Sequence, residues 1–431
     1  MANTVLICTV GGSHQPVLKA IEKAHPDFVC FVCTGRDPET GKQGSEIQIT
    51  GSGNVISARY GDPPTLPNIP ALAELSPQQY EICPVPADNL NAAFVAIRTV
   101  LLDLISRFPD ARVIADYTGG TKSMTAALVT AVLESDGIDL QLVTGARADL
   151  NRVVEQTENA ITANIDNIRI EKAMQPYLDA WTRHAYAEAA QGLGNISVPF
   201  DADLRAYLNI AHNLSRGFAA WDRFDHKTAL KILKPYRQRI GSQLGLHLKT
   251  LEMLNEEDGK RREPLQLYDL WLNAQRRAVQ GRYDDAVARV YRLIEWTAQW
   301  QLRLHAGIDT ADIAKENIPE GVPLSKNLEG RYQSGLYASW QLVGHHLPDK
   351  PAGIFINEHG KGLLAILKLR NHSILAHGYA PIEKRQWLDM VSWLERNFLP
   401  VLKELIRKDG ALRFDLDRLQ LPTRIPLPDT G

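Results

Sequence analysis

No uninterrupted apolar run in the sequence approaches the roughly 18 residues needed to cross a bilayer, which excludes a membrane-spanning chain. Cysteine is scarce: the 431 residues hold four, none after Cys83, so a disulfide scaffold is excluded too. The opening, MANTVLICTVGG, lacks the basic leader and small-residue cleavage site of a secretory signal, so a cytoplasmic protein is expected. Tryptophan is missing before Trp181, yet all eight lie from there onward, which suggests two modules of different construction. Neither charge dominates, with 48 basic against 50 acidic residues. Apolar residues at 44% and charged residues at 23% are ordinary for a globular protein and rule out a disordered one. At about 150 residues per domain, the length suggests two or three domains.

The near-neutral total hides an uneven distribution. Residues 1–170 hold 12 Lys or Arg against 19 Asp or Glu, and the remainder holds 36 against 31. An anion bound by the first part therefore needs local donors, since its bulk charge is unfavourable. Cys30 and Cys33 form a CxxC, but DFVCFVCT reads as a buried strand, where positions three apart face opposite ways. No second CxxC or HxxxH completes a zinc site. Buried thiols and no metal are expected.

Short β-branched runs alternate with amphipathic stretches over the first 165 residues. TVLICTV (4–10), DFVCFVC (27–33), YEICPV (80–85), ARVIAD (111–116) and DLQLVT (139–144) read as strands. Helical patterns start near His14, near Leu90 after Asp88 and Asn89 as N-cap candidates, and at Thr121. The alternation predicts an α/β, Rossmann-like fold with a mainly parallel sheet. Gly11-Gly12-Ser13, Thr34-Gly35-Arg36, Thr118-Gly119-Gly120-Thr121-Lys122 and Thr144-Gly145-Ala146-Arg147 each follow a strand, where open α/β sheets bind ligands. Glycines let backbone approach a phosphate, and a following helix start offers free N–H groups. Tight turns alone would explain one such loop more easily than four. Neither GxxxxGK[ST] nor GxGxxG is present, which disfavours an ATPase or a nicotinamide dehydrogenase.

DYTGGTKSMTAAL, together with TVGGSHQP, resembles the CARF sensor domains of type III CRISPR systems. The resemblance covers about residues 1–165. It implies a Rossmann-like domain that dimerises and binds a cyclic oligoadenylate. Gly11, Gly12, Ser13, Gly35, Thr118, Gly119, Gly120, Thr121, Lys122 and Arg147 would line that pocket. Some relatives cleave the ring slowly there, and no residue here decides whether this chain does. Cyclic tetra-adenylate is mildly preferred over hexa-adenylate on the same footing.

From about Ala160 the patterns become helical. LRAYLNIAHNLSRGFAAW, DHKTALKILKPYRQRI, LYDLWLNAQRRAVQ and YDDAVARVYRLIEWTAQWQLRL read as helices, with Gly281 as a break. The tryptophans are expected in the core. GLLAILKLRNHSILAHGYAP (362–381) reads as a helix running into Arg370 and ending near Gly378. On such a helix Arg370 and His377, seven apart, would share a face. A guanidinium that forks onto phosphate and an imidazole that moves a proton make a minimal phosphodiester site. On the residues alone, a stray histidine over a solvated arginine at a helix end is the better reading.

RNHSILAH fits the Arg-x(4–6)-His pattern of HEPN ribonucleases, and NAQRRAVQGRYDDAVARVYRLIE resembles the opening helices of HEPN domains attached to CARF sensors. The resemblance spans about residues 262–431 and gives an all-α domain there, leaving 166–261 as a helical coupling region. It implies a homodimeric, cyclic-oligoadenylate-activated endoribonuclease that cuts single-stranded RNA without metal and leaves a 2′,3′-cyclic phosphate. Arg370 would stabilise the crowded phosphate, His377 would act as acid or base, and Asn371 would orient them. DNA and membranes are not expected partners. A non-catalytic ring-binding adaptor and a HEPN toxin indifferent to cyclic oligoadenylates stay open as rivals.

Overall fold

The computed structural model describes residues 3–37, 41–58, 62–144, 147–149, 152–153, 159–257, 260–371, 374 and 379–426, with backbone alone at 147–149, 152–153 and 370–371. The chain divides into two compact units, 1–171 and 172–431.

The first unit is built on six strands: β1 (Thr4–Thr9), β2 (Phe28–Thr34), β3 (Tyr80–Val85), β4 (Arg112–Asp116), β5 (Ile138–Thr144) and β6 (Asn159–Thr162). Their order is β6-β5-β4-β1-β2-β3. The five strands β1 to β5 pair in parallel, and β6 closes the β5 edge antiparallel. The expected α/β fold is present, and the five strands expected from sequence are the five parallel ones. β6 was not anticipated, because NAIT is short and too polar to give a pattern.

Alternation along each strand sends two sets of side chains to two helical layers. Val5, Ile7, Cys30, Val32 and Cys83 pack with Ala93, Ile97 and Leu101 of α3 (Leu90–Arg107) and with Met124, Ala127 and Leu128 of α4 (Lys122–Leu133). Leu6, Cys8, Val29, Phe31 and Cys33 pack with Val17, Ala20 and Ile21 of α1 (Gln15–Ala24), and with Ile49 of the short helix α2 (Ile47–Thr50). Each fully buried aliphatic side chain contributes about 1.5–3 kcal/mol, so these two layers hold the sheet. Cys30 and Cys33 go to opposite layers, as the strand reading requires. Asn89 is the cap of α3, accepting from the Ala92 N–H at 3.0 Å.

The second unit is helical. One hydrophobic core runs through it from Ala180 to Leu421, and all eight tryptophans belong to it or pack against it. The helices of 172–254 have no core apart from those of 262–421. A buried ionic cluster adds to the join. Arg276, fully buried, donates to Asp222 Oδ1 at 2.8 Å, Asp269 Oδ1 at 3.1 Å and Gln420 Oε1 at 2.9 Å. Arg277 also binds Asp222, and Trp221 Nε1 donates to Asp269 Oδ2 at 3.0 Å. The arginines of NAQRRAVQ therefore point inward and serve the fold. The stretch DHKTALKILKPYRQRI is not one helix: it stops at Leu233, passes through a 3₁₀ turn at Lys234–Tyr236 and resumes at Arg237–Ile240. Pro235, which cannot donate its own hydrogen bond, explains the break.

Candidate functional site

In the first unit β1 lies between β2 and β4, where the strand order reverses. Open α/β sheets bind ligands outside the carboxyl ends of the strands at such a point. A cleft of about 380 Å³ lies there, lined by Val10, Gly11, Gly12, Thr34, Gln43, Gly44, Ser45, Gln48, Gly120 and Thr121. That volume suits a small-molecule or nucleotide portion.

The walls are held by hydrogen bonds from beneath. Thr9 Oγ1 and Thr125 Oγ1 both donate to the Gly119 carbonyl, at 2.6 and 3.1 Å. The Thr118 N–H donates to Asp116 Oδ1 at 3.0 Å, and the Val143 N–H donates to Thr118 Oγ1 at 2.7 Å. Burial pushes the Asp116 carboxyl up, while its bonds from Thr118 and Gln141 pull the other way. Thr121 caps α4, accepting from the Met124 N–H at 3.3 Å and donating to the Ala87 carbonyl at 2.6 Å. Gly120 has φ of +84°, a conformation that favours glycine. The wall toward an anion is thus backbone and hydroxyl, with little charge.

Of the expected ligand residues, Gly11, Gly12, Gly120 and Thr121 line the cleft. Thr118 and Gly119 form the base of the loop. Gly35 lies beneath Gly44, where a Cβ on Gly44 would meet the Thr34 carbonyl at 2.1 Å and the Gly35 carbonyl at 2.2 Å. Ser13 is exposed and donates to Gln15 Oε1 at 2.5 Å, while Lys122 is exposed at the start of α4. The backbone of Arg147 is in a short strand, and its side chain lies outside the described residues, as does Gly145.

The sequence reading missed the wall formed by Gln43, Gly44, Ser45 and Gln48. Ser45 and Thr34 lock it to the end of β2: the Thr34 N–H donates to Ser45 Oγ at 3.0 Å, and the Ser45 N–H to Thr34 Oγ1 at 2.8 Å. Gln48 Nε2 donates to the Gly11 carbonyl at 2.6 Å, joining this wall to the loop after β1. KQGSEIQ carries neither a glycine-rich turn nor a clear period, and its only signal was a glycine in a polar stretch.

In the second unit the helix Pro351–Asn371 carries Arg370 and Asn371 in its last turn. Leu363, Ile366 and Leu367 bury one side of that turn. The expected helix end near Gly378 lies outside the described residues. The described helix ends at Asn371, and Ile374 sits in a turn whose N–H donates to the Ala380 carbonyl at 3.2 Å. His377 and the side chains of Arg370 and Asn371 lie outside the described residues. A helix carboxyl end favours a cation there by about 0.3–1 kcal/mol. The returning chain is fixed by the Ile382 N–H, which donates to Asp284 Oδ2 at 3.0 Å, and by a capping box between Glu383 and Gln386. Among the described residues no group of three or more His, Cys, Asp or Glu is placed to hold a metal, and no helix is long and apolar enough to cross a membrane.

Residues 255–397 match the family model described as the Csm6 HEPN domain. The fold is similar to that of Enterococcus italicus Csm6 bound to cyclic hexa-2′-fluoro-hexa-dAMP, with a TM-score of 0.52, 14% identity and coverage of 97% of this chain and 98% of that one. Can2 from Sulfobacillus thermosulfidooxidans in complex with cyclic tetra-adenylate matches more loosely, at a TM-score of 0.24 and 13% identity over 54% of this chain and 68% of that one. No curated protein matches the chain in sequence. The resemblance to CRISPR-associated CARF–HEPN proteins is thereby borne out in its HEPN part by the family match and in its architecture by the fold.

Proposed function

We propose that this chain is a cyclic-oligoadenylate-activated endoribonuclease that acts on single-stranded RNA in type III CRISPR defence. The observation that carries the reading is one chain holding both a switch-point cleft of backbone donors and hydroxyls and a Csm6-type HEPN segment. The ring occupies the cleft of Gly11, Gly12, Gly120 and Thr121, with Ser13, Gly35, Thr118, Gly119, Lys122 and Arg147 around it. Cyclic tetra-adenylate is the first ring to try, ahead of hexa-adenylate.

Two HEPN domains of a homodimer pool their Arg370 and His377 pairs. The ribose 2′-hydroxyl attacks the adjacent phosphate, and the 5′-oxygen leaves, giving a 2′,3′-cyclic phosphate. Arg370 bears the charge that builds on the phosphate, His377 transfers the proton and Asn371 orients the pair. The reaction needs no metal, and DNA, lacking the 2′-hydroxyl, is not cut. Ring binding favours the cutting arrangement only by its differential affinity for the two states. The helices of 166–261 transmit that preference between the domains 1–165 and 262–431. The protein works in the cytoplasm.

The test is cleavage of a fluorescent single-stranded RNA in EDTA, with and without each ring, beside Arg370→Ala and His377→Ala. Activation by one ring, lost in both variants, supports the reading. Ring binding without cleavage would leave an adaptor, and cleavage indifferent to rings would leave a toxin-like nuclease.

A further inference from the structure

The wall that the glycine-rich motifs did not reveal contains an unusual group. Gln48 lines the cleft, its Nε2 donates to the Gly11 carbonyl, and its Oε1 is closed from solvent with no hydrogen-bond partner among the described residues. A buried acceptor left unmade costs about 1–3 kcal/mol, and native proteins keep few of them. Three other polar side chains of the lining are already engaged. Thr34 and Ser45 bond each other, and Thr121 bonds Ala87 and Met124.

We propose that Gln48 reads the base of the bound nucleotide, its carboxamide oxygen accepting from the exocyclic 6-amino group of adenine. This rests on the reading that the cleft takes a cyclic oligoadenylate. The phosphates of such a ring carry only acceptors and cannot satisfy Oε1; its donors are the 6-amino groups and the 2′-hydroxyls. The bond to Gly11 fixes which end of the carboxamide is nitrogen. One N–H is spent on Gly11, and the oxygen with the second N–H forms an acceptor–donor edge. Adenine presents the complementary pair, its 6-amino group beside a ring nitrogen. Reaching the 6-amino group requires the closed oxygen to open towards the ligand, a motion of the terminal side-chain torsion, which is broad for glutamine. Gln43, on the same wall, is exposed, and its carboxamide is not among the buried groups left without a partner.

The experiment is calorimetric titration of the full chain with three rings. The first is cyclic oligoadenylate. The second is the same ring built from purine riboside, which lacks only the 6-amino group. The third is the 2′-fluoro ring, which lacks only the 2′-hydroxyl. Wild type is expected to prefer the adenylate ring over the purine ring by about tenfold or more. Gln48→Met, and Gln48→Leu as a second variant, should bind both rings more weakly and equally. A merely structural role for Gln48 would weaken both rings and leave their ratio intact, which overturns the proposal. A preference that follows the 2′-hydroxyl and vanishes in Gln48→Met overturns the base assignment. If wild type binds none of the rings, the sensor reading itself fails; an unchanged ratio with intact ring binding sinks the Gln48 assignment alone.

Discussion

A Cβ on Gly11 would stand 2.6 Å from the backbone nitrogen of Gly120, so the loops after β1 and β4 meet backbone to backbone. No side chain fits between them. Gly11→Val should therefore push the two walls of the cleft apart and reduce ring affinity more than tenfold, an effect of the order that overpacking produces at about 1–3 kcal/mol. Titration of the ring checks the loss.

The ionic cluster gives a second expectation. Removing Asp222 leaves Arg276 and Arg277 facing each other without their shared carboxylate. Asp222→Ala should cost the helical unit about 3–5 kcal/mol, the range for breaking a buried pair from one side. Because every tryptophan lies from Trp181 onward, intrinsic tryptophan fluorescence during denaturant unfolding follows this unit alone. An unchanged midpoint would refute the assignment.

His184 links that unit to pH. Burial, and then the Arg276 and Arg277 charges, lower its pKa from 6.5 to about 4. The folded imidazole stays neutral while the unfolded one takes up a proton below pH 6.5. Its contribution is thus complete above about pH 6.5 and lost as pH falls to about 4, by roughly 3 kcal/mol at most. Stability of His184→Gln, measured between pH 7 and 4, should be flatter than that of wild type by this amount.

Asp284 holds the chain returning from the end of the Arg370 helix through the Ile382 N–H. Asp284→Ala should speed hydrogen exchange at the Ile382 amide and lower RNA cleavage about tenfold, with ring binding unchanged. Asp284→Asn, which keeps an acceptor oxygen, should recover most of the protection. Equal exchange in all three proteins would refute the anchoring role.

The strands were readable because β-branched runs such as TVLICT and FVCFVC end at glycines, and the long helices because their apolar period is unbroken. What escaped the sequence depended on partners far away in it. Asp222 meets Arg276 from 54 positions off, so nothing local in NAQRR announces a buried ionic cluster. Gln48 reaches Gly11 across 37 positions, and nothing local in EIQIT announces a cleft wall. At the Arg370 helix the apolar period was readable as far as Asn371, and the expected end near Gly378 lies outside the described residues.

Sending Cys30 and Cys33 into opposite layers has a consequence outside nucleic-acid chemistry. Neither sulfur can reach the other without dismantling a central strand, and burial first, with nearby acidic groups after it, pushes the Cys33 thiol up to about 12 and the Cys83 thiol up to about 11. Thiolate, the form that oxidants and alkylating agents attack, is therefore nearly absent at neutral pH. The first unit should pass through an oxidative burst with its sheet unaltered, and the purified chain should keep its cleft intact in air without added reductant.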